Sequence, residues 1–318
     1  MTTYLGIDLA WAERARTGLA ALDAAGRLVS SGSVVTDDQI AAFVAEHALG
    51  VVVAAIDAPL VVPNADGRRD CEAELNREFG RYNAGAHPTN RSRPWFNPPR
   101  GAALSERFGW SMDPAVRPGG AASVAIEVYP HPAMVSLFDL ATVIPYKDKP
   151  RRTTTSRKEA FGVLLDAMER VCEEPLRLTT STRWAEIRAA VVSAQRPIDL
   201  RVVEDEIDAI FCAYLAWLWG RRDPQMRVLG DVLRGYIVVP GRPRVAPLRT
   251  SVVRARPSTQ VGAEGLAELA AASRAALPSL TDEDATRLAQ VAVTRGGGRA
   301  VSGRALGRAS PRGVVDPA

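Results

Sequence analysis

The chain has 318 residues, of which 47% are hydrophobic and 24% charged, with a formal net charge of +4. That length and apolar content provide one sizeable core with room for an appendage, and exclude a fibrous or wholly disordered chain. No apolar run approaches the roughly 20 residues of a membrane span, and the start lacks the basic and cleavage-site pattern of a secretory signal, so the expected location is cytoplasmic. Cys71, Cys172 and Cys212 are odd in number, far apart and without CxxC spacing, which argues against a disulfide framework or a zinc cluster. The charge is uneven: from Arg242 onward there are twelve arginines against six acids, so the preceding body is close to neutral.

In chain order, Thr3 to Trp11 (TYLGIDLAW) has the apolar run of a strand buried on both faces, which places Asp8 at its carboxyl end. Gly18 to Val35 reads as two strands turning at Asp23 to Gly26. Asp37 can cap a helix reaching about Ala48, with Ile40, Phe43, Val44 and His47 at helical spacing. Val51 to Leu60 then runs apolar up to Asp57, and Gly67 to Phe79 reads as a polar helix. Asn83 to Gly120 is so rich in Pro, Gly, Asn and Arg that it predicts a long insertion loop, the kind that serves as a lid or binding loop. Its Trp95, Phe96 and Trp110, interleaved with Arg91, Arg93, Arg100 and Arg107, suit either stacking on a single strand or pinning the loop to the body.

Ser123 to Pro130 runs apolar up to Glu127, followed by a helix from His131 to about Leu140 and a basic link from Tyr146 to Arg152. Another helix follows Thr155 as its cap and reaches about Val171, and one more covers Trp184 to Ala194. The acidic stretch EDEIDA, Glu204 to Ala209, opens an amphipathic helix whose Ile207, Ile210, Phe211, Tyr214, Leu215 and Leu218 form one face. Gly235 to Pro240 closes a folded body over residues 1–241. Residues 242–318 form an Arg, Ala and Gly-rich, low-complexity tail, expected to be largely disordered apart from short helices over 262–277 and 280–293.

Asp8, Asp57 and Glu127 thus each end an apolar strand, and Asp205 and Asp208 lie three apart on one side of a helix. Carboxylates gathered at strand ends repel one another unless a cation or proton lies between them, so the expected site is a divalent-metal site. Asp205, with Glu204, is equally suited to capping the helix and complementing its dipole. His131 suits capping or packing better than a role as base or ligand.

The order of strand Asp, hairpin, helix, strand acid, helix, strand and helix with a DxxDA pair is similar to the ribonuclease H-like fold. GIDLAW, IDAPL, RRDCE, EVYP, DEIDA and GYIVVP together resemble the DUF429 family, described as predicted nucleases of that fold, over roughly Met1 to Pro240. The resemblance implies an α/β domain with a mixed five-stranded sheet flanked by helices. It matches Asp8 to the first-strand aspartate, Asp57 to the acid of the fourth strand and Asp205 with Asp208 to the helix pair, while Glu127 follows the family's ExYP motif.

The activity it implies is metal-dependent hydrolysis of DNA or RNA. Two Mg²⁺ or Mn²⁺ ions about 4 Å apart would hold the attacking water and the leaving oxygen. Asp8 would bridge them, Asp57 and Asp208 would each hold one, and Asp205 or Glu127 would complete a shell. Lys147, Arg157 or Lys158 would neutralise the phosphate. A catalytically silent module binding nucleic acid or protein is the alternative reading. An actin-like kinase is disfavoured, because about 240 structured residues supply only one of the two domains it needs.

Overall fold

The computed structural model describes residues 1–11, 15–116, 120 and 122–248. Strand β1 (Thr2–Asp8) pairs antiparallel with β2 (Thr17–Leu22), which pairs antiparallel with β3 (Leu28–Val34). Helix α1 (Asp37–His47) crosses back, its start fixed by a reciprocal capping box between Thr36 and Gln39. Strand β4 (Val51–Ile56) then joins β1 in parallel on the other side. Helix α2 (Asp70–Phe79), helix α3 (Arg100–Arg107) and strand β5 (Val124–Glu127), parallel to β4, complete a five-stranded mixed sheet in the order β3-β2-β1-β4-β5. The antiparallel edge comes from the tight hairpin, and the parallel pairs come from helical crossovers.

Helix α4 (Pro130–Leu137), the long α5 (Thr154–Leu176), α6 (Thr182–Ser193) and α7 (Pro197–Gly220) follow. Thr153 caps α5 with Ser156 in a capping box, two residues before the expected cap, and α5 kinks at Glu174 beside Pro175. Helix α7 begins at Pro197, not at Glu204. The acidic stretch therefore lies two turns inside it, and the reading of Glu204 and Asp205 as capping residues is overturned. α7 lies across β1, β2, β3 and β4, close enough that a Cβ on Gly6 or Gly18 would overlap its backbone at Ala209, Ala213 and Asp205. It is buried on almost all sides rather than on one face.

Three features were not expected. The loop from Asn83 to Gly120 contains α3, whose Ala102 and Leu104 are buried. A separate two-stranded ribbon, β6 (Arg227–Asp231) with β7 (Gly235–Val239), packs with α2 around Cys71, Leu75, Phe79, Leu229 and Ile237. It adjoins β5, where Tyr236 Oη donates to the Ala125 carbonyl at 3.2 Å. Residues 242–248, expected to begin the tail, touch the body: Tyr82 Oη donates to the Val245 carbonyl at 2.8 Å, and the Leu248 amide donates to that of Ala141 at 2.9 Å. The expected tail beyond Leu248 lies outside the described residues. All three cysteines are buried and unpaired. No helix among the described residues is long and apolar enough to cross a membrane.

Candidate functional site

Strand register decides where each acid points. Ile7, Ile56 and Glu127 are partners across β1, β4 and β5. The Asp57 amide donates to the Ile7 carbonyl at 2.8 Å, extending the ladder so that Asp57 follows Ile56 as Asp8 follows Ile7. Because side chains alternate along a strand, Asp8 and Asp57 emerge on one face and Glu127 on the other. Gly6, two residues before Asp8, faces α7, and so does Asp8.

On the α7 side, Asp8 and Asp57 meet Asp208, Asp205 and Glu204. Asp208 is fully buried, and its Oδ1 accepts a hydrogen bond from Tyr146 Oη at 2.7 Å. Its Oδ2 meets the Lys147 ammonium. Lys147 Nζ also lies 3.7 Å from Asp8 Oδ2 and 3.5 Å from Glu204 Oε1. Glu204 is held in turn by Arg157, with Nη2 2.8 Å from Oε2. Among the described residues, Lys147 and Arg157 make the ion pairs with these five carboxylates, and Arg16 acts on Asp205 through space. Burial pushes Asp8 well above the ordinary carboxylate range, with the neighbouring Asp208, Asp57 and Asp205 adding to the effect against the pull of Lys147. Burial likewise pushes Asp57 up to about 7 and Asp205 to about 6. Burial opposes the charge on Lys147, but Asp208 and Asp8 outweigh it and hold the ammonium well above its usual range.

Glu127 belongs to a different network. Arg69, at the start of α2, grips it with Nη2 2.6 Å from Oε1 and Nη1 2.9 Å from Oε2, and the Leu60 amide donates to Oε2 at 2.9 Å. Arg69 Nε pairs with Glu72 Oε1 at 2.8 Å, and Thr89 closes the network through its hydroxyl on Glu72. Arg69, Glu72 and Glu127 are each at most 3% exposed. Glu127, expected to complete a ligand shell, has both of its oxygens engaged by the buried ion pair. RRDCE carried the signal, an arginine and a glutamate at the start of a helix, but its partner in EVYP could not be read without the register.

Two of the three expected phosphate-binding cations are also redirected. Lys158 Nζ donates to the carbonyls of Val192 and Ala194, at 2.6 and 3.0 Å. Arg157 is buried, with Nε donating to the Tyr146 carbonyl at 3.0 Å beside its pairing with Glu204. Lys147 reaches Asp8 and Asp208 directly. His131 packs its ring 5.8 Å from that of Tyr146, and burial lowers it to about 4, so it is neutral near pH 7.

As the side chains stand, no group of three or more His, Cys, Asp or Glu among the described residues is arranged to hold a metal ion, and the Lys147 ammonium sits against Asp8, Glu204 and Asp208. The donor set nevertheless fits a hard divalent cation. All of its donors are carboxylate oxygens, and the acids outnumber the cations paired with them.

Beside Asp57 a pocket opens, lined by Trp11, Pro59, His87, Thr89, Val128 and Tyr129 and floored by the Arg69 network. The fold and this end of the sheet define a mixed α/β protein with an acidic centre where strand ends meet a covering helix. The chain belongs to the DUF429 family, whose model, described as "Protein of unknown function (DUF429)", matches residues 6–232. No curated protein and no solved structure matched the chain.

Proposed function

We propose that the protein is a divalent-metal-dependent nuclease of ribonuclease H-like fold. The sheet order β3-β2-β1-β4-β5, with an antiparallel hairpin and two parallel strands, supports the fold assignment. The observation that carries the activity is the meeting of Asp8, Asp57, Asp205 and Asp208, with Glu204, around a single lysine. Mg²⁺ or Mn²⁺, when bound, would supply the Lewis acidity that activates water and stabilises charge on the phosphate. Asp8 and Asp57, side by side at the strand ends, and Asp208 on α7 are the residues to hold it, with Asp205 at the margin. Tyr146 orients Asp208 through its hydroxyl. Lys147, released from the carboxylates, is the group within reach to pair with a phosphate oxygen.

A second reading, a nucleic-acid- or protein-binding module without catalysis, is favoured by one observation: Lys147 already neutralises Asp208 without a metal. One experiment separates the two. A panel of single strands, duplexes, hybrids and branched junctions is incubated with the protein in Mg²⁺ or Mn²⁺, alongside identically prepared Asp8→Asn and Asp208→Asn. Cleavage by the parent chain and none by either variant is expected. A panel left uncut, or cut equally by Asp8→Asn, selects the silent module.

A further inference from the structure

The aromatic and basic residues of the loop from Asn83 to Gly120 separate into two groups. Phe96 and Trp110 are buried, at 2% and 6% exposure. Arg100 is bound to Asp37 and the Ala10 carbonyl, and Arg107 to Asp38. These four pin the loop. Trp95 is left 45% exposed, and Arg91 and Arg93 are exposed and form no ion pair among the described residues.

Trp11, three residues beyond Asp8, joins them. It too is 45% exposed, and it meets Phe96 edge to face at 5.3 Å between ring centroids. Trp95 meets the same ring at 6.2 Å and 69°. One buried phenyl ring therefore props up two solvent-facing indoles. Trp11 also borders two depressions, the pocket that begins at Asp57 and a crevice lined by Trp95, Phe96 and Pro99. The aromatic surface is thus continuous with the acidic end of the sheet. Indoles that served only to fix the loop would be covered, as Phe96 and Trp110 are.

We propose that Trp11 and Trp95 form a stacking platform for the unpaired bases of a single-stranded nucleic acid, with Arg91 and Arg93 on its backbone. Every base has a π-face, so two exposed indoles near exposed arginines suit a single strand of any sequence. A duplex, whose bases are already stacked, offers them nothing. This inference rests on the nuclease reading for its substrate class. The platform would set the strand so that a neighbouring phosphate lies at Asp8 and Asp57.

The test measures fluorescence anisotropy of labelled oligothymidylate and of a hairpin duplex on the full chain. Ca²⁺ is present to support binding while limiting cleavage. Trp11→Ala and Trp95→Ala should each weaken single-strand binding on the order of tenfold with unchanged melting temperature. Trp95→Phe should recover part of the loss, and Arg91→Gln with Arg93→Gln should flatten the salt dependence. If Trp11→Ala alters folding, Trp11→Phe replaces it.

Single-strand affinity of the double alanine variant within about twofold of the parent, or preference of the parent for the duplex, overturns the platform. So does a parent chain that binds no nucleic acid. Cleavage in Mn²⁺ with unaltered affinity in the variants removes the platform and leaves the nuclease standing. Affinity lost in the variants without any cleavage keeps the platform and removes the nuclease.

Discussion

Arg69 and Glu127 face each other through two parallel hydrogen bonds, at 2.6 and 2.9 Å, inside the protein. The pair joins the start of α2 to the end of β5, and Glu72 shares the guanidinium. Removing one member of such a pair leaves a buried charge without compensation, at a cost of about 3–5 kcal/mol. Arg69→Met should therefore lower stability by about that much in urea denaturation, with Glu127→Gln losing less because Arg69 keeps Glu72. Titration calorimetry should show unchanged Mn²⁺ affinity in Glu127→Gln. A large loss of affinity would return Glu127 to the ligand set.

Lys147 and a divalent ion compete for the same oxygens of Asp208, Asp8 and Glu204. Lys147→Met should lower the melting temperature of the metal-free protein, since buried Asp208 loses the ammonium paired with it, and Mn²⁺ should restore most of it. Its Mn²⁺ affinity should exceed that of the parent. Parent protein at 100 times the dissociation constant should gain about 2.7 kcal/mol, and Asp8→Asn should lose most of that gain. Calorimetry in millimolar Mn²⁺ that detects no binding to either the parent or Lys147→Met would rule out the metal site.

Asp57 gives the metal-free protein a pH dependence of defined sign. Its folded value is about 7, because burial favours the neutral acid, whereas an unfolded aspartate titrates at about 4. Between those values the folded state holds the proton more tightly. The stabilising contribution is complete below about pH 4, declines as pH rises and is gone above about 7. Urea denaturation in EDTA should show the stability of the parent relative to Asp57→Asn falling across that window. Mn²⁺ binding should strengthen over the same interval, because the ligand must be ionised.

Gly6 and Gly18 let α7 rest directly on the backbones of β1 and β2. A Cβ at Gly6 would overlap the Ala209 carbonyl oxygen, and one at Gly18 the Asp205 carbonyl. Gly6→Ala and Gly18→Ala should each cost about 1–3 kcal/mol or more, as overpacking does, and should move Asp205 and Asp208 away from Asp8, weakening Mn²⁺ binding. Gly32→Ala is the control: nothing lies within 4 Å of its Cβ position, and denaturant midpoints should not change.

Local pattern was enough for much of the scaffold. The apolar runs ending at Asp8, Asp57 and Glu127, the hairpin after β1 and the helix starting at Asp37 are all readable from periodicity and turn residues, because each depends on neighbours within a few positions. Helix α3 was hidden because its eight residues sit in a Pro and Gly-rich stretch whose composition outweighs a short helical pattern. The start of α7 is not legible locally, because acidic residues are expected at a helix's first turn and here they lie inside it, facing other charges.

By itself, the sequence determined which carboxylates end strands and which share a helix face. Tertiary structure alone decided their partners. A difference of one position in register turned Glu127 to the opposite face from Asp57 and into the grip of Arg69, since a strand's side chains alternate and nothing in the local sequence states where two strands are aligned. Lys147 was drawn to Asp208 and Lys158 to the carbonyls of Val192 and Ala194 by contacts between segments far apart in the chain. Electrostatic pairing acts through space, so a residue's charge is legible in sequence while the charge that answers it is not.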